Sequence, residues 1–191
     1  MIKFRITIEG TAELLMHNSR LANPLDPATK ALKRVTAKRT KTDEDHDEIA
    51  RLEHAGSLYL DPDVGPYLPS DNLWRALYDA AKKHKMGPRI KEGVVFQQAV
   101  NPLAYRGPRD PAGLWANENF RHMASVKVGT ARTMRCRPMF REWRTEADGI
   151  LDPNVLDLLD LRNIAETAGS VIGLGDWRPR YGRFVTTVEE I

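Results

Sequence analysis

A chain of 191 residues with 29 basic and 26 acidic side chains can bury a proper core, and its net charge of +3 is too balanced to name a partner. A single cysteine, Cys136, excludes a disulfide framework and a thiolate metal cluster and suits a reducing cytoplasm. No apolar run approaches the roughly 18 residues of a membrane span, and the Met1-Ile2-Lys3-Phe4 start lacks a signal-peptide core. The expectation is a soluble cytoplasmic protein with no membrane partner.

Taken in chain order, Ile2-Lys3-Phe4-Arg5-Ile6-Thr7-Ile8 alternates apolar and polar residues and predicts a half-buried strand. Asp43-Glu44-Asp45-His46-Asp47-Glu48 has the look of a calcium loop. It lacks the glycine and the bidentate glutamate that such a loop requires, since Glu48 and His54 stand there. It reads instead as the acidic first turn of a helix running to about His54 and capped by Thr42. Ser70 or Asp71 caps a second helical pattern, with Leu73, Trp74, Leu77, Tyr78 and Ala81 on one stripe and Gly87-Pro88 as its stop. Extended stretches follow at about Met123–Val128 and Met139–Thr145. Asp152-Pro153 opens a further helix carrying Val155, Leu156, Leu159, Ile164 and Ala165, and the last strand spans about Arg183–Val188.

Strand, helix, strand, strand, helix, strand is the order of an α+β, ferredoxin-like (RRM-like) βαββαβ core. The reading is one domain over residues 1–191, interrupted by insertions at about 18–68 and 88–121. The second insertion, rich in proline and glycine, is expected to be an irregular loop.

Charge is distributed less evenly than its total suggests. Six basic residues and no acid lie between Lys30 and Lys41, where Lys30, Arg34 and Lys38 would share a helix face. Between Arg121 and Arg144 seven basic residues face one acid, Glu142, and Arg135 and Arg137 project to one side of an extended chain. The third cluster sits in a glycine-punctuated stretch from Gly173 to Phe184, where Trp177, Tyr181 and Phe184 interleave with Arg178, Arg180 and Arg183. One charge run is ordinarily a solvated face. Three of them around one sheet point to a phosphate-bearing partner, and the interleaved aromatics point to single-stranded nucleic acid.

Catalytic signals are thin. The chain has no HExxH and no P-loop, and Gly173-x-Gly175 precedes a strand rather than following one. His17 and Asp26 are the two outsiders for catalysis, as general base and as metal-assisted acid in RNA cleavage. The expectation is a non-catalytic protein with no cofactor and no metal.

Two stretches carry a resemblance. Asp61-Pro62-Asp63-Val64-Gly65-Pro66-Tyr67-Leu68-Pro69-Ser70-Asp71-Asn72-Leu73 resembles the RAMP-superfamily segment "D-P-x-x-G-x-P-Y-I-P-G-S-S-L-K-G" that enters the first helix. Ile172-Gly173-Leu174-Gly175 through Arg180-Tyr181-Gly182-Arg183-Phe184 resembles the superfamily's C-terminal loop, "G-G-x-x-x-x-G-x-G-R". Ser70-Asp71-Asn72 replaces the family's small residues, and Trp177 and Pro179 are unusual inside the loop. The pattern Leu15-Met16-His17-Asn18, Asp26-Pro27, Lys41-Thr42, Arg51-Leu52-Glu53 and Leu58-Tyr59-Leu60-Asp61 is also similar to a group of bacteriophage-encoded proteins of unassigned role, which implies a divergent, stand-alone RAMP-like member in a bacterial or phage-infected cell. The RAMP resemblance implies an RNA-recognition-like sheet, a basic groove for single-stranded nucleic acid and head-to-tail homo-oligomers or filaments, as in CRISPR backbone subunits. In some family members an aspartate after the first strand cuts RNA, which is where Asp26 falls.

The expected phosphate contacts are Lys38, Arg39, Arg132, Arg135 and Arg137, with Trp177, Arg178, Arg180 and Tyr181 forming a stacking and gripping loop. The alternatives are an RNA endonuclease or CRISPR effector backbone subunit, a phage protein-interaction module or CRISPR-subunit mimic, and a small-nucleotide pocket on the same basic loop.

Overall fold

The expected opening strand forms as β1 (Ile2–Gly10) in a computed structural model that describes residues 1–191 apart from the Val128 side chain. After it come β2 (Leu14–Leu15), α1 (Pro27–Thr36), α2 (Asp43–Ser57), β3 (Leu60–Asp61), β4 (Gly65–Pro69), α3 (Ser70–Lys83) and α4 (Gly87–Gly93). Then come β5 (Val94–Phe96), β6 (Val100–Pro102), α5 (Pro111–Ala116), β7 (Arg121–Val128), β8 (Ala131–Phe140), β9 (Arg144–Leu151), α6 (Leu158–Thr167) and β10 (Phe184–Glu190). The protein is α+β with antiparallel sheets. Its chain divides into two compact units, one of Met1–Leu14, Leu60–Arg106 and Arg141–Ile191, the other of Leu15–Tyr59 and Gly107–Phe140.

The first unit is built on a four-stranded sheet in the order β10-β1-β9-β5. Alternation explains its two faces: Phe4, Ile6 and Ile8 of β1 are buried, while Lys3, Arg5 and Glu9 point to the open side. Burying each large apolar side chain contributes roughly 1.5–3 kcal/mol. Beneath the sheet, α3 contributes Leu73, Ala76, Leu77, Ala80 and Ala81, and α6 contributes Leu161, Ile164 and Ala165. In a small sheet ordered β3-β4-β6, the central strand β4 runs directly into α3. Helix α3 starts behind Pro69 without a side-chain cap, because the Ser70 hydroxyl donates to the Gln98 carbonyl instead.

The second unit holds the β7–β8 hairpin in a sheet ordered β2-β8-β7. The expected capping of α2 is present in full. Thr42 Oγ1 accepts from the Asp45 N–H at 3.3 Å, and the Asp45 carboxylate accepts from the Thr42 N–H at 3.2 Å.

Several expectations require correction. Met123–Val128 is a strand, but it belongs to the hairpin of the second unit; the sheet strand after α3 is the three-residue β5. Val94-Val95-Phe96 is too short to display alternation, whereas the half-exposed hairpin alternates plainly. Met139–Thr145 spans the end of β8, a turn and the start of β9, so the strand itself continues to Leu151. Ala147-Asp148-Gly149 has poor strand propensity and hid it; Gly149 stands there because a side chain would strike the Phe4 ring. The helix expected from Asp152-Pro153 begins at Leu158 behind an Asp157 cap, with Asp152 closing a local turn on the Asn154 N–H. The expected insertion at 88–121 is not an irregular loop. It contains α4, β5, β6 and α5, and residues up to Arg106 belong to the first unit. Gly87-Pro88 opens α4 rather than merely ending α3, proline being suited to the first helical turn. Helix α1 ends at Thr36, so Lys38 lies beyond the face shared by Lys30 and Arg34.

Candidate nucleic-acid interface

Charge separates between the units. The second unit carries 14 basic and 9 acidic residues, a net of +5; the first carries 15 and 17, a net of −2. Within the second unit the positive charge concentrates on the β7–β8 hairpin, which has five basic residues and no acid. The hairpin closes through the two-residue Gly129-Thr130 turn, where Gly129 adopts the φ of 61° that glycine accepts without strain.

Register decides which cations share a face. Lys127 pairs directly with Arg132 and Ser125 with Met134, so one face of the hairpin presents Lys127, Arg132, Ser125, Met123 and Met134, all exposed. Like charges directly opposite one another destabilise a sheet. The Arg132 guanidinium reaches the Ser125 hydroxyl, at 3.5 Å, and no acid among the described residues. Lys127 belonged to the expected basic cluster but not to the expected contact set; only the register singles it out.

Arg135 and Arg137 share the opposite face, as their spacing predicts, but they differ in their surroundings. Arg135 is ion-paired to Glu53, which is 2% exposed and also accepts the Cys136 backbone N–H at 3.1 Å. A buried carboxylate requires such a counter-charge, so Arg135 has a structural partner inside the chain. Arg137 is half-buried, its guanidinium 3.4 Å from the Cys136 carbonyl. Burial, with Glu53 adding to it, pushes the Cys136 thiol up to about 11, which keeps it protonated. Lys38 forms a salt bridge with Asp45 at 2.6 Å, and Arg39 is exposed.

The aromatic residues of the expected gripping loop lie in the first unit, between a single π-helical turn at Ala168–Ile172 and β10. Its glycines close the backbone on itself. Leu174 N–H donates to the Gly182 carbonyl at 2.8 Å, and Gly182 N–H donates to the Glu13 carbonyl at 2.7 Å. Gly182 has a φ of 70°, and a side chain there would run into the Leu174 carbonyl. Trp177, with φ of 56°, is 39% exposed and lies tilted 6.0 Å from Tyr181. The Arg180 guanidinium stands 5.7 Å from the Tyr181 ring. Arg178 lines an open cleft of about 520 Å³ together with Asp79, Lys82, Lys83, Val171, Ile172 and Pro179. The two expected groups of contact residues therefore belong to different units: Lys38, Arg39, Arg132, Arg135 and Arg137 to one, Trp177, Arg178, Arg180 and Tyr181 to the other.

The open face of the four-stranded sheet differs from an RNA-recognition platform. It carries Lys3, Arg5, Thr7 and Glu9 from β1, Arg144, Glu146, Asp148 and Ile150 from β9, Val185, Thr187 and Glu189 from β10, and Val95 from β5. None is aromatic, and acids outnumber bases four to three. Arg5 is held by Asp148 at 2.7 Å. This face therefore offers no aromatic ring on which a base could stack.

The two catalytic outsiders have structural surroundings. Asp26 is the N-cap of α1, accepting the Ala28 N–H at 2.8 Å and pairing with Arg20 at 3.1 Å. Partial burial pushes its carboxyl up, but the Ala28 N–H and Arg20 outweigh this and hold it below the usual carboxylate range. The His17 carbonyl accepts from the Tyr59 hydroxyl at 3.5 Å. Among the described residues, no group of three or more His, Cys, Asp and Glu side chains is arranged to hold a metal ion.

Sequence reading missed His54. It is fully buried under Trp115, with Nε2 3.0 Å from the Phe120 carbonyl and Nδ1 without a partner among the described residues. Burial lowers its pKa, and the nearby Arg121 cation, itself 4.6 Å over the Trp115 ring, lowers it further against the opposing Phe120 hydrogen bond. The unfolded chain then binds this proton more readily than the folded one. Stability held above the ordinary histidine value of about 6.5 is expected to be lost as pH falls from there through the folded pKa. Thermal melts of the wild type and His54→Leu across that window check it, the variant losing that part of the pH dependence.

No protein-family model matches the chain, and no curated protein is significantly similar to it.

Proposed function

We infer that the protein binds single-stranded nucleic acid without cutting it, through the basic hairpin of its second unit and the glycine-rich loop of its first. The observation that carries this reading is the acid-free β7–β8 hairpin, on which Lys127 and Arg132 stand opposite one another with no acid between them. A phosphate placed there would relieve the repulsion and release counterions, which favours binding. The exposed Trp177 beside Tyr181 and Arg180 adds stacking surface to the cation-rich loop.

The fold supports a ferredoxin-like assignment within this reading. Taking β1, β5, β9 and β10 as the four strands of a βαββαβ core, with α3 and α6 as its helices, the order β10-β1-β9-β5 is the 4-1-3-2 order of that topology. Under that assignment, the positions of the segment entering α3 and of the loop before β10 support the resemblance to the RAMP motifs. The absence of aromatics from the open sheet face moves the proposed contacts away from an RRM-type platform and onto the hairpin and loop.

The test is fluorescence anisotropy with labelled single-stranded RNA, single-stranded DNA and duplex DNA at low and moderate salt with magnesium present, each product then run on a denaturing gel. Salt-sensitive single-strand binding with intact strands is the expected result, and the RNA-to-DNA ratio names the substrate. Intact, unbound strands overturn the reading; cut strands make the protein a nuclease.

A further inference from the structure

The four-stranded sheet leaves β10 at its edge, and the direction of its backbone hydrogen bonds shows how much of that edge is open. In an antiparallel pair, alternate residues exchange backbone bonds with the neighbour and the others face away. Arg183 accepts from the Thr11 N–H at 2.8 Å and Ile191 donates to the Lys3 carbonyl at 3.0 Å, so the odd-numbered residues face β1. The even-numbered ones, Phe184, Thr186, Val188 and Glu190, turn their N–H and C=O groups outward. Phe184 is covered by the π-helical turn, where Gly169 leaves no room even for a Cβ against the Phe184 carbonyl. Val188 O accepts Arg162 Nε at 2.8 Å and keeps its second lone pair. Beside this edge runs a groove of about 320 Å³ lined by Arg162, Asn163 and Glu166 of α6 and by Thr186–Glu189.

Open edge strands are pairing templates unless charge, proline or a bulge blunts them. Within β10 there is no proline, and the charged side chains at its outward edge are Glu189, Glu190 and Arg162, the last bonded, among the described residues, to the Val188 carbonyl alone. We propose that β10 pairs antiparallel with β10 of a second copy of this chain across a twofold axis at Val188, joining the two four-stranded sheets into one.

Two independent features select that register. Only residues with outward backbone groups can exchange bonds, and Phe184 is blocked. Pairing Thr186 with the partner's Glu190, Val188 with the partner's Val188, and Glu190 with the partner's Thr186 uses every open group and forms about six backbone hydrogen bonds. The same register places Val185, 55% exposed, directly opposite the partner's Ile191, 53% exposed, at both ends of the seam. Two solvent-facing apolar side chains that have no role in the isolated sheet thereby cover each other, as cross-strand pairs do. A register shifted by two residues toward the start of β10 engages the blocked Phe184, and a shift in either direction parts Val185 from the partner's Ile191. The contact is isologous and closes at two copies.

The experiment is light scattering coupled to size exclusion on the full chain, with circular dichroism to monitor folding. The wild type is expected at twice its 21.6 kDa chain mass. Thr186→Pro is expected to halve that mass with an unchanged spectrum, because the Thr186 N–H faces away from β1 and proline is tolerated at such an edge position. The doubly substituted Val185→Cys/Ile191→Cys chain is expected to form a disulfide-linked dimer on oxidation, since the paired positions fall within disulfide range across the seam. On a single strand they stand six residues apart, too far to bridge internally. A wild type that stays at the chain mass at high concentration overturns the proposal. So does a dimer that persists unchanged in Thr186→Pro, or a double-cysteine chain that folds and dimerises yet does not cross-link.

Discussion

Arg135→Ala is expected to lower the unfolding free energy by about 3 kcal/mol, because it strands the Glu53 carboxylate in the interior. Glu53 is buried to within 2% of its surface and keeps one further bond, from the Cys136 N–H, which does not neutralise its charge. Arg135 is itself about one-third exposed on its side chain, so water offsets part of the loss and the figure belongs at the lower end of the range for a broken buried pair. Urea denaturation checks it, as a shift of midpoint at constant slope. Adding Glu53→Gln to Arg135→Ala should recover much of the loss, because glutamine still accepts from Cys136 without leaving an uncompensated charge. An Arg135→Ala midpoint equal to wild type would show that the pair contributes nothing. Any binding defect of Arg135→Ala has to be read against this loss of stability.

Lys127→Ala and Arg132→Ala are expected to behave in the opposite way. Each removes one member of a like-charge cross-strand pair, so each should leave the hairpin as stable as wild type or more so, by roughly 0.2–1 kcal/mol. Each should nonetheless weaken single-strand binding, and the double variant should flatten the dependence of log affinity on log salt by about 0.7 for every phosphate no longer neutralised. Opposite signs in stability and binding are the mark of charges kept for a ligand rather than for the fold. If the double variant binds with wild-type affinity and slope, the hairpin face has no part in binding, and the glycine-rich loop alone is left to carry it.

These two variants lie on strands whose neighbouring residues look alike in sequence. Arg132, Arg135 and Arg137 all belong to one basic run, yet one faces an opposed lysine, one neutralises a buried glutamate and one lies half-buried against its own strand. Their differences come from strand register and from α2 packing along β8, neither of which is encoded by the spacing of the arginines. The same holds for Asp26, singled out by its place after the first strand: its carboxylate is occupied in starting α1. Charge density was legible residue by residue; partnership was not.

Local physics determined much of this protein from the sequence by itself. Alternation identified β1, the Thr42–Asp45 capping box started α2, the apolar stripe of α3 and the extended residues after the glycine-rich loop were recognisable, and the loop's glycines marked the turns that require them. Each of these rests on interactions within a few residues. Only the tertiary structure decided that the strand following α3 is the short Val94–Phe96, that the alternating Met123–Val128 belongs to a separate hairpin, and that the open sheet face lacks aromatic rings. It also decided that Glu53 and His54 are buried, and that β10 keeps its outward backbone groups open. Strand pairing joins residues far apart in the chain, 143 positions in the case of Arg5 and Asp148. Such pairings are chosen by the shared burial of a whole core, a sum over distant contacts that no window of neighbouring residues contains.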